Sequence, residues 1–217
     1  DDLFIYPPLA YLAHATFNTL LYPFYPQALF QTLLTDIGQV YAHPDLGRLL
    51  IFLKAPYLLA DILSLVAIRR IITEKHRYLA TILWIFTPVT LSAGYMIGQF
   101  DIFIALFILL AILNPKLSPV LLGLGAGFKP FPLFFLPFLP GSKIKNIAIG
   151  LSTYLLLVLP YLASPGFRLY ALAAPQTDKL SYDKIMVSGS QYLPLFFVGL
   201  IGLFWWNKRS PNALPVW

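Results

Sequence analysis

Lys54, Asp61, Asp101 and Lys129 are charged side chains set into otherwise apolar stretches of this chain. An ionisable group at membrane depth costs about 2.5–3.5 kcal/mol on insertion scales, so each is a functional candidate. Lys54 and Asp61 lie seven residues apart, on one face of a predicted helix. That spacing is about 10 Å along the axis, too long for a direct pair. Lys54 lies near the outer edge, where its ammonium can snorkel outward. Asp61 lies deeper and needs a partner on a neighbouring helix. It serves either as a helix-to-helix hydrogen bond or in binding substrate.

Gly98-Gln99-Phe100-Asp101 places an amide and a carboxylate at the outer end of a predicted hairpin. One reading is a polar turn with Asp101 capping the next helix. A turn needs no glutamine, so Gln99 and Asp101 together also read as a binding element. Gly125 to Pro132 puts Lys129 at the tip of a helix pair broken by glycine and proline. Irregular backbone in a membrane is tolerated where it lines a cavity, and an ammonium there can hold a phosphate. The plain alternative is a lysine snorkelling to the interface. His14 and His43 stand alone in the outer segment, and His76 in a basic loop. Tyr6-Pro7-Pro8-Leu9 fixes an extended backbone and then allows a helix to start. With no cysteine, scattered acids and isolated histidines, neither a metal cluster nor a cofactor is expected.

The elements that must position these residues follow from composition. Of 217 residues, 59% are hydrophobic and 11% charged, against about a quarter charged in soluble domains. A fold of this size cannot hide so much apolar surface from water. A soluble enzyme, a nucleic-acid module and a disordered chain are therefore excluded, and the net charge of +6 sits in short loops. The fold class is all-α: a polytopic transmembrane helix bundle with an external amphipathic helical segment. Predicted spans are 49–68, 79–97, 102–113, 146–163 and 192–206, with 117–140 as a broken hairpin that enters and returns. Residues 1–48 form the external or interfacial segment, with helices at 9–22 and 27–41, and 49–217 the bundle. Nine of the 15 basic residues, from Arg69 to Arg209, fall on one side, which is read as cytoplasmic. Seven acids fall on the other: Asp1, Asp2, Asp36, Asp45, Asp101, Asp178 and Asp183.

In order, these motifs resemble the GT-C class of polytopic glycosyltransferases, which use polyprenyl-phosphate sugars. Tyr6 to Tyr11 looks like the YPPLxxY element of the dolichol-pathway glucosyltransferases and their bacterial mannosyltransferase relatives. Lys54 to Ile62 is similar to the helix that follows it. Thr87-Pro88 through Asp101 is similar to the stretch ending in GQxD, and Gly127 to Pro130 to the GxK…P stretch. The resemblance covers roughly residues 3–140 and implies an inverting transfer of a sugar such as mannose, without a cofactor. It implies a polyprenyl- or dolichyl-phosphate sugar donor, a glycan or glycolipid acceptor, and no nucleic-acid partner. Tyr6, Asp61, Gln99, Asp101 and Lys129 become substrate-binding candidates. The family's catalytic aspartate precedes the YPPL element by some tens of residues, so it is expected upstream of an N-terminally truncated chain. The implied location is a lipid bilayer, spanned several times, the prokaryotic plasma membrane ahead of the endoplasmic reticulum. Broken helices and a buried Asp61 also suit a secondary transporter, and a non-catalytic membrane subunit is the third class. About 12 helical residues after Lys116 would raise Lys129 about 18 Å, towards a cavity shared with Gln99 and Asp101.

Overall fold

A computed structural model describes residues 6–88, 90–172, 184–189 and 191–209. Asp1, Asp2, Asp178 and Asp183, counted above with the outer acids, lie outside them. The described residues are helical apart from one two-strand hairpin. The chain divides into two compact units: Leu9–Leu113, and Asn114–Trp217 together with residues up to Pro8.

Pro8 opens α1 (Pro8–Leu21), where a missing N–H costs nothing, and the first unit takes this helix from Leu9 on. A 3-10 turn, Tyr22–Phe24, leads through Pro26 into α2 (Gln27–Thr35). Asp36 ends α2 and accepts from the Gly38 N–H at 2.9 Å, which starts the 3-10 turn Ile37–Val40. α3 (Leu46–Ile71) follows, 26 residues and about 39 Å long. Tyr25, Leu29, Val40 and Leu49 are buried together, so the outer segment folds back onto the first turns of α3. Arg69 and Arg70 close α3 where the helix dipole favours cations.

α4 (Glu74–Ile85) is followed by a π-helical segment, Thr90–Ile97, bent from it by 42°. The sequence predicts one span over 79–97. Pro88 lacks the N–H that would continue the helix and splits the stretch in two. α5 (Asp101–Leu113) packs chiefly against α3. On α3 the buried residues Tyr57, Ala60, Ser64 and Ala67 recur at helical spacing. Small residues on one stripe let two helices approach closely.

In the second unit, α6 (Ser118–Ala126) has nine residues and rises about 13.5 Å, less than the sequence predicts after Lys116. Pro119 sits in its first turn, and Gly127 to Pro130 break it into a 3-10 helix, Phe131–Phe138. α7 (Lys143–Val158) starts at Ser142, whose hydroxyl accepts from the Lys145 N–H. α6 and α7 cross where Gly123 meets Gly150; a Cβ on Gly123 would stand 2.6 Å from the Gly150 carbonyl oxygen. β1 (Lys184–Ser188) and β2 (Gln191–Pro194) pair antiparallel, Ile185 opposite Leu193. This hairpin lies where sequence reasoning predicts only helix and loop. α8 (Leu195–Arg209) sets Phe196 against Phe131 and Phe134, and Phe204 against Phe138.

Two helical stretches, Leu46–Ile71 and Lys143–Tyr161, are long and apolar enough to cross a bilayer. Only 28% and 11% of their apolar windows are buried inside the protein, so most of that surface needs lipid. The chain is a membrane protein.

Candidate functional site

His14, Lys54 and Tyr57 of the first unit gather around the turn that joins the π-helical segment to α5. Gly98 makes that turn with φ of 77°, a left-handed conformation that side chains with a Cβ resist. Tyr57, buried on α3, donates its hydroxyl proton to the Gly98 carbonyl at 2.8 Å. The Nε2 of His14, on α1, lies 3.0 Å from the same hydroxyl. A phenol has one proton to give, so His14 is the donor here and its tautomer is fixed. Burial holds the His14 pKa below the ordinary imidazole value, and the nearby Lys54 charge lowers it further. His14, Tyr57 and Phe103 enclose Phe100, the ring at the centre of the turn.

Lys54 reaches the same turn. Its ammonium donates to the Gly94 carbonyl at 3.4 Å and lies 5.1 Å from the centre of the Tyr57 ring. The sequence points this side chain outward to water; in the structure its head rests on backbone and ring.

Asp61, about two turns beyond Lys54 on α3, is held at both oxygens. Trp84 of α4 donates its indole N–H to Oδ1 at 2.6 Å, and Tyr95 donates its hydroxyl to Oδ2 at 2.7 Å. The partner that sequence reasoning requires is thus a pair, one from each side of the 42° bend. Trp84 and Tyr95 escape the sequence reading, although a buried indole N–H always calls for an acceptor.

A cavity of about 560 Å³ opens beside the bend. Its walls include Trp84, Thr87, Thr90, Gly94, Ile102 and Asp101. Asp101 occupies the first turn of α5, where the helix dipole favours a carboxylate. Gln99 lies half-buried two residues ahead of it. Asp61 acts on the cavity through Trp84, which it fixes in the wall.

Gln99, Asp101 and Asp61 therefore belong to one unit, and Tyr6 and Lys129 to the other. Tyr6 is half-buried ahead of the buried Pro7 and Pro8. Lys129 is half-buried just after the buried Phe128, at the break that follows α6. Gly127 and Phe128 close that break by donating their N–H groups to Leu124 and Gly125.

No family model matches the chain, and searches of curated proteins and of solved structures find no match either.

Proposed function

We propose that this chain is part of an inverting, membrane-embedded glycosyltransferase of the GT-C type. It takes a sugar such as mannose from a polyprenyl-phosphate carrier and passes it to a glycan or glycolipid at the outer face of a multi-pass protein, in a prokaryotic plasma membrane. The observation that carries this reading is Asp101 in the wall of the 560 Å³ cavity. That volume lies within the range of small-molecule sites, about 300–1,000 Å³, and such sites pair apolar walls with a few placed polar groups. Thr87, Thr90 and Asp101 offer hydroxyls and a carboxylate to sugar hydroxyls, while the apolar walls suit a lipid carrier. In such a transfer a general base removes the acceptor proton as the bond between the sugar and the carrier phosphate breaks. Lys129 is the residue assigned to the phosphate that leaves, whose charge an ammonium would stabilise.

The test is binding of radiolabelled polyprenyl-phosphate mannose to the protein in phosphatidylcholine nanodiscs. Saturable binding is expected, competed by the unlabelled carrier sugar and not by the free polyprenol. Asp101→Asn should weaken it about tenfold, equivalent to about 1.4 kcal/mol. Binding that does not saturate, or that ignores both Asp101→Asn and Gln99→Ala, overturns the reading. The broken backbone at 127–130 favours a secondary transporter instead. That alternative predicts uptake of a solute into liposomes with no affinity for the carrier.

A further inference from the structure

The cavity beside the bend is controlled by a helix that does not line it. Its described wall residues come from α4, the bend, the π-helical segment and α5. α3 supplies none of them. Yet Asp61 of α3 takes the Trp84 indole N–H on Oδ1 at 2.6 Å and the Tyr95 hydroxyl on Oδ2 at 2.7 Å. Trp84 precedes the bend and Tyr95 follows it, so one carboxylate ties both segments.

An indole has one hydrogen-bonding group, and it only donates. With that group turned to Asp61, what Trp84 offers the cavity is hydrocarbon. The polar anchor of the ring is one bond, short and to a carboxylate, which is the strong kind. Without Asp61 the N–H needs another acceptor, because a withdrawn donor left unpaired is costly. The cavity wall holds such acceptors in the Thr87 and Thr90 hydroxyls and the Asp101 carboxylate. Its volume of about 560 Å³ leaves room for the ring to enter. A change of rotamer suffices for that, with no movement of α4.

We propose that Trp84 is a gate and Asp61 the latch that holds it open: released from Asp61, the indole turns into the cavity and closes it. Tyr95 occupies the second oxygen and keeps the carboxylate aimed at the indole. Asp61 is thus a positioning residue, which decides access to the cavity without touching what binds there. The proposal rests on the geometry of the first unit and not on the transferase reading.

The experiment reads access to the cavity with a single cysteine, since the chain has none of its own. Thr90→Cys, in the cavity wall, is treated with N-ethylmaleimide in phosphatidylcholine nanodiscs, with Ser188→Cys on the β1–β2 hairpin as the control. Asp61→Ala should slow labelling at position 90 at least about tenfold and leave the control within about twofold. Asp61→Asn still accepts from the indole and should stay within about threefold of the parent. Adding Trp84→Ala to Asp61→Ala removes the gate, so labelling should return to the parental rate or above it. A merely structural role would not give that rescue, since a loosened fold labels faster and a second truncation does not repair it. Unchanged or faster labelling in Asp61→Ala, or slow labelling that Trp84→Ala fails to restore, overturns the proposal. A parent that does not label at position 90 is closed already and overturns it too. Should Asp61→Ala fail to fold by circular dichroism, Asp61→Leu combined with Tyr95→Phe takes its place, because that pair strands no donor except the indole, and the same outcomes apply. Carrier-sugar binding that fails while the gate behaves as stated defeats the transferase reading alone. Carrier-sugar binding that holds while labelling ignores Asp61 defeats the gate alone.

Discussion

Asp61 carries two acceptors for two donors, and that count predicts how its variants behave. Asp61→Ala strands the Trp84 indole N–H and the Tyr95 hydroxyl. Hydrogen bonds to a charged group contribute about 1.5–3 kcal/mol each, and a stranded donor adds its own penalty. An asparagine can keep its oxygen towards Trp84 and donate its amide to Tyr95, because a phenol also accepts. In detergent micelles, Asp61→Ala should lower the melting temperature by about 6–24 °C and Asp61→Asn by less than half of that, at about 2–4 °C per kcal/mol. Equal losses would show that the charge, not the hydrogen bonds, holds the bend. The need for a partner at Asp61 is legible in the sequence, because a carboxylate in an apolar stretch demands one. Which partner is not legible, since Trp84 and Tyr95 are 23 and 34 residues away and only the bend brings both to it. Lys54 reads as outward-snorkelling for the same reason: its contacts with Gly94 and Gly98 are 40 or more residues distant.

Element boundaries followed composition where one force acts and departed from it where two compete. α3 shows the first case: a long apolar run ended by Arg69 and Arg70 gives one continuous helix, which carries Pro56 in its interior. The stretch 79–97 shows the second, since its apolar length favours one span and Pro88 forbids an unbroken one. The short α6 is a third case, cut at 127–130 by glycine and proline. Nothing local predicts the α6–α7 crossing, because Gly123 and Gly150 matter only through each other. Gly123→Ala would push its Cβ to 2.6 Å from a backbone oxygen and 2.7 Å from the Thr153 Cβ. Neither neighbour is the far end of a flexible chain, so the helices must separate. Overpacking of this kind costs about 1–3 kcal/mol. Thermal unfolding should show that loss for Gly123→Ala, while Gly202→Ala, with open space around it, should change little. A Gly123→Ala protein as stable as the parent would mean that the two helices do not cross at this point.

At the scale of the whole molecule, the apolar composition and the distribution of charge set which ends of the helices face water. α3 is about 39 Å long, enough for a 30 Å hydrocarbon core with some tilt. Arg69, Arg70, Lys75 and Arg77 crowd the connection between α3 and α4, and the proposed orientation puts that connection in the cytoplasm. In that orientation the other end of α3, with the outer segment packed on it, would lie outside. α7 begins at Lys143 and Lys145, which the same charge rule would put in the cytoplasm, and the stretch Lys143–Tyr161 is long enough to cross. The β1–β2 hairpin that follows should accordingly be external. The chain has no cysteine, so single cysteines report without interference. In intact cells, a membrane-impermeant maleimide should label Ser188→Cys and leave Thr73→Cys untouched until the membrane is permeabilised. Labelling of Thr73→Cys from outside, with Ser188→Cys protected, would invert the molecule. It would also place the Gly98 turn, and the cavity beside it, on the side where an outward-facing transfer could not occur.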